Sequence, residues 1–129
     1  YQNYENWSKL LKYYLGLGLI NENTTIIAHS IAPVFVCKFL IHNKVKVKKL
    51  ILIGQTATKI YDAVKKELEI QNKKLDIYMC ESLQQSLELA KRLAEPGQVV
   101  LFSPASTSFD MFKDMYDRGD KFREQVNNL

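Results

Sequence analysis

Five residues between an apolar strand pattern and an apolar helix pattern read Ala28, His29, Ser30, Ile31 and Ala32. A serine flanked two positions away by small residues fits the elbow pattern Gly-x-Ser-x-Gly, in which a strained strand-to-helix turn presents the hydroxyl. Alanine stands for glycine at both flanks, and small-residue logic tolerates that. Such a serine does little alone, because it needs a base to take its proton and an acid to orient the base. The chain has two histidines, His29 and His42. His29 adjoins the serine, and at an elbow its side chain is expected to point away from it. His42 lies at the far end of the helix that follows, roughly 18 Å along at 1.5 Å per residue. Neither fits the base, so the triad is incomplete.

Other chemistry is sparse. Cys37 falls within a predicted helix and Cys80 at a predicted strand end, with no CxxC pair and no metal-ligand spacing. Both read as reduced core or boundary thiols, and no metal or other cofactor is expected. The net charge of +4 gathers partly at Lys44, Lys46, Lys48 and Lys49. A nucleic-acid surface would need a broader basic face with interleaved aromatics or a known module, so a solvated loop is the expectation.

The elements that must position these residues follow from periodicity. A chain of 129 residues, 47% hydrophobic and 25% charged, fits one domain with one core. No run approaches a membrane span and no signal-peptide pattern opens the chain, which predicts a soluble, cytoplasmic protein. A monomer with no specific partner is the default expectation. A start at Tyr1 rather than Met suggests a fragment, a processed chain or a trimmed recombinant product. Tyr4, Trp7, Leu11 and Tyr14 recur at helical spacing and predict a helix over 3–15. Then come a strand at 24–28, a helix at 31–42 and a strand at 48–54. A helix over 56–71 places Ala57, Ile60, Val64 and Leu68 on one face, before a strand at 74–80. Ser82 and Gln85 form a capping box that opens a helix with Leu83, Leu87, Ala90 and Ala94 on one side, stopped by Pro96 and Gly97. A strand at 98–103 and a helix over 108–129, weakest near Arg118 and Gly119, close the chain. Strands without polar alternation, each followed by a helix, predict an open parallel α/β sheet buried on both faces. Ligands in such sheets sit beyond the carboxyl ends of the strands, where strand order reverses.

Two stretches of the chain resemble known families. With "ENW" at 5–7, "NENTTIIAHS" at 21–30 and "KVKKLILI" at 46–53, residues 1–53 resemble the YdeN-like branch of the α/β-hydrolase family. That resemblance implies Ser30 as nucleophile and the Ile31 amide as an oxyanion donor. Residues 54–129 resemble the C-terminal domain of the MurD ligases, through "GQTATKI" at 54–60, "SLQQSLELAKRLAEPGQVVLFSPASTSFDMF" at 82–112 and "RGDKF" at 118–122. It implies that Ser108 and Phe109 contact the glutamate portion of a ligand. Separately, the amides of Ser106 to Phe109, at the expected start of the last helix, form a candidate anion site. The family's next aromatic contact falls at Met115. The ligase's ATP loop, GxxxxGK[ST], does not occur in the chain.

Together these readings predict a Rossmann-like three-layer α/β/α domain with four parallel strands in the order 3-2-1-4. Strand 1 is then central, and the crevice lies between strands 1 and 4. Two signatures meeting near Ile53 and Gly54, within one sheet, point to an engineered chimeric scaffold with no complete catalytic site and no native activity. The alternatives are a weak esterase using Ser30, and residual binding of an anion or D-glutamate by the MurD-like part.

Overall fold

A computed structural model describes residues 4–29, 38, 46–104 and 111–129 of the chain. Its elements run α1 (Tyr4–Gly16), β1 (Thr25–His29), β2 (Lys49–Ile53), α2 (Ala57–Ile70), β3 (Asp76–Cys80), α3 (Leu83–Leu93), β4 (Val100–Pro104) and α4 (Met115–Asn127). The helix expected over 31–42 lies outside the described residues, apart from Lys38. The four strands form one parallel sheet in the order β3-β2-β1-β4, with flanking helices, as expected for a three-layer Rossmann-like fold.

Alternation along the strands sends successive side chains to opposite faces. Ile26, Ala28, Leu50 and Leu52 join Leu11 of α1 and Ala57, Ile60, Val64 and Leu68 of α2 in one core. Ile27, Ile51 and Ile53 join Leu83, Leu87 and Ala90 of α3, together with Phe112, in the other. The central strands are therefore apolar at nearly every position because both faces are covered. β3, at one edge, is only partly buried, and Met79 on it is exposed.

Local signals set the element ends. Thr24 spends its hydroxyl on the preceding turn, donating to the Leu19 carbonyl (2.8 Å) and accepting from the Asn21 amide (3.0 Å), so β1 begins one residue later than expected. Ser82 Oγ accepts from the Gln85 amide at 3.1 Å, as a capping box requires. The Gln85 side chain reaches back to the amide of Glu81 instead of that of Ser82. After α3, the Gln98 amide donates to the Glu95 carbonyl at 3.1 Å. Pro96 then precedes Gly97 at φ +89°, the arrangement of a type II turn.

The last helix differs from expectation. It begins at Met115, not at 108, and runs unbroken through Arg118 and Gly119. Asp114 caps it, accepting from the Asp117 amide at 2.8 Å. Phe112, just before the cap, turns into the core, and a continuous helix from 108 would compete with that placement.

Candidate functional site at the carboxyl ends of the central strands

The reversal of strand order falls between β1 and β4. Their carboxyl ends are in register, with Ala28 opposite Ser103 and His29 opposite Pro104. His29 shares its face with Ile27, on the side covered by α3 and α4, and is fully buried. Ser103 is buried with Ala28 on the opposite side. Ser30 follows His29 in the chain and the 105–109 segment follows Pro104, so the two expected sites leave the sheet from paired positions. Ser30, Ile31, Ser106, Ser108 and Phe109 themselves lie outside the described residues.

What the described residues bring together is a polar pair that periodicity does not single out. Arg118, on the first turn of α4, is 6% exposed and sits with Nη1 3.1 Å from His29 Nδ1. A guanidinium has donors only, so Nδ1 accepts and the ring proton resides on Nε2 of a neutral imidazole. Phe112 meets the imidazole edge-on, with ring centroids 5.4 Å apart at 90°, and Lys121 Nζ stands 5.9 Å from the same phenyl ring. One helical turn beyond Arg118, Phe122 stacks on Phe102 of β4 at 4.8 Å. The signal is present in the spacing: Arg118 and Phe122 are four residues apart and share one helix face. His29 interrupts an otherwise apolar strand two positions after Ile27.

This geometry bears on the esterase alternative. In a serine triad the histidine nitrogen remote from the serine is held by a carboxylate, which stabilises the imidazolium formed during the reaction. The Nδ1 of His29 is held by a guanidinium, which would repel that cation. The described surroundings of His29 are therefore unlike those of a general base.

The remaining titratable group of note is Cys80. Burial raises its thiol above the ordinary range and Arg92 partly offsets that, so the thiol stays protonated at neutral pH. Among the described residues no group of three His, Cys, Asp or Glu side chains could hold a metal ion, and no helix is long and apolar enough to cross a membrane.

No family profile matches the chain. Individual relatives do. The chain is 49% identical over 86 residues to the UDP-N-acetylmuramoylalanine–D-glutamate ligase of Acetivibrio thermocellus, a match that covers 65% of this chain and 18% of the ligase. The ligase of the same name from Clostridium tetani is 43% identical over 83 residues, and that from Aquifex aeolicus 42% over 81, each again with 18% of its length covered. The chain thus spans about a fifth of the length of these relatives. A match to 65% of 129 residues is also longer than the stretch from Gly54 to Leu129, so it takes in residues before Gly54. A MurD-like ligase segment, on a four-stranded parallel α/β sheet, accounts for about 65% of this chain.

Proposed function

We propose that this chain carries a ligand-binding segment of the MurD type, which takes a small dicarboxylate such as D-glutamate at the carboxyl end of β4. The observation that carries the reading is the identity, 49% in one case, to ligases whose names specify D-glutamate. The fold supports it. β4 sits beside the central strand, and ligands of such sheets bind at this switch point. Ser106, Ser108 and Phe109 follow β4 in the chain, and Ser108 and Phe109 are the contacts that the resemblance implies.

Ligation as a whole is a larger undertaking. The GxxxxGK[ST] loop that would hold ATP does not occur in the chain, so binding without ligation is the activity proposed for this chain alone. The relatives favour that role over a bare scaffold joined from two folds, and the guanidinium on His29 weighs against an esterase. Titration of isotope-labelled protein with D-glutamate, L-glutamate and phosphate tests the reading. D-Glutamate at millimolar concentration should shift the amide signals of Ser106 to Phe109 more than the other two do. No shift, or equal shifts with all three, overturns it.

A further inference from the structure

We infer that the turn after α1, together with the basic approach to β2, is a docking surface for an anionic lipid bilayer. Among the described residues, four of the nine exposed large apolar side chains fall within seven positions, at Tyr13, Leu15, Leu17 and Leu19. Single exposed leucines are ordinary on a protein surface, but a cluster of them is not. The turn holds them out. The Leu17 amide donates to the Tyr13 carbonyl (3.1 Å), that of Gly18 to Leu15 (3.0 Å) and that of Leu19 to Tyr14 (3.0 Å), with Gly18 at φ +77°. Leu11 and Ile20, on either side, are buried in the core, and the Leu19 carbonyl accepts from the Thr24 hydroxyl. A turn fixed in this way loses little conformational freedom on binding.

The same rim of the sheet is basic. The Lys48 amide donates to the Thr24 carbonyl at 2.8 Å, so the segment that enters β2 runs beside this turn and brings Lys46 and Lys48 to the end of the sheet that carries the leucines. Lys46 is exposed and Lys48 half-buried, and Lys12 is exposed four residues before the end of α1. Lys44 lies outside the described residues. Among those described, Glu22 and Glu95 belong to the β4 side of the rim: Glu22 lies in the chain between Asn21 and Asn23, and these two line one recess with Glu95 and Val99. Asp76 is paired with Lys49 at 3.5 Å. Lysines beside exposed leucines and a tyrosine match a bilayer with anionic headgroups, in which apolar side chains enter the acyl boundary and ammonium groups stay with the phosphates. Nucleic acid would engage the lysines and leave the leucines in water, and a second copy docking through this patch would set lysines against lysines. The bilayer satisfies both halves of the patch.

Co-sedimentation of the full chain with vesicles tests the surface, using phosphatidylcholine alone and phosphatidylcholine mixed with phosphatidylglycerol at about 2:1. The mixed vesicles should bind at least about tenfold more tightly, since each lysine near an anionic surface is worth roughly a fivefold factor. Leu17→Ser with Leu19→Ser should weaken that binding by about tenfold or more and leave the unfolding midpoint close to that of the parent, because both side chains are already exposed. Lys46→Gln with Lys48→Gln should weaken it comparably, and it carries the test should the leucine variant fail to fold. Equal binding to both kinds of vesicle, or none to either, overturns the proposal. So does a variant that binds as the parent does: an unchanged leucine variant means adsorption by charge alone, as on a nucleic acid. A dimer in sedimentation velocity that the leucine substitutions abolish, with the vesicles left bare, assigns the patch to a second copy and overturns it too.

Discussion

The Nη1 of Arg118 and the Nδ1 of His29, 89 positions apart in the chain, meet at 3.1 Å inside the protein and tie the last helix to the central strand. Replacing Arg118 by alanine at pH 7.5 takes a donor away from the buried His29 ring and removes a long side chain from between α4 and the sheet. A loss of about 2–3 kcal/mol is expected, the range for an unsatisfied buried polar group together with lost packing. Urea unfolding monitored by circular dichroism reads it, and a change below about 0.5 kcal/mol, the ordinary surface value, would show that the contact contributes little.

Gly119 should prove dispensable. It lies inside α4, and among the described residues a Cβ built on it would meet nothing nearer than Arg123 Nη1 at 3.8 Å, an ordinary contact. Glycine costs a helix interior about 0.5–1 kcal/mol relative to alanine. Gly119→Ala should therefore raise the unfolding midpoint, and a lowered midpoint would reveal a constraint on α4 absent from its backbone geometry.

Acid should act on α4 through Asp117. The Lys113 amide, at 2.9 Å, holds this carboxyl below its ordinary value of 3.8; partial desolvation opposes that, and Lys121 at 3.4 Å adds to it. A lowered value in the fold means that the stabilisation is whole above about pH 4 and is lost as pH falls through the folded value. Asp117→Asn should flatten the stability profile below pH 4 and leave the profile between pH 5 and 7.5 unchanged. An unaltered slope below pH 4 would count against this carboxylate.

The two cores should respond separately and additively. Leu52 packs on the α1 and α2 side and Ile51 on the α3 and α4 side, and both are fully buried. Truncation of either to alanine should cost about 2–5 kcal/mol. The backbone of one strand connects the two sites, but their side chains contact different helices. Double-mutant coupling should then stay within about 0.5 kcal/mol, and a stronger coupling would mean that the sheet transmits strain between its faces.

Much of this architecture is legible in the order of residues. Periodicity in "TATKIYDAVKKELEIQ" selects Ala57, Ile60, Val64 and Leu68, the residues α2 buries, because a helix facing a sheet must repeat its apolar positions every three to four residues. The return of β4 to the far side of β1 is what the MurD-like resemblance implies, whereas unbroken apolar strands imply helices on both faces and short right-handed crossovers set strands 1, 2 and 3 side by side. These properties are local or follow from connection rules, so the chain itself carries them. Pattern alone misplaces the start of α4, because Phe112 has the spacing of a helical residue and only the demand of the core beside His29 draws it out of the helix. The pairing of His29 with Arg118 is equally hidden. A histidine in a strand and an arginine in an amphipathic helix are each ordinary, and nothing in either segment states that the other will lie against it. Only the packing of α4 across β1 and β4 removes both from water, and that removal turns two common side chains into a hydrogen-bonded pair with a defined tautomer.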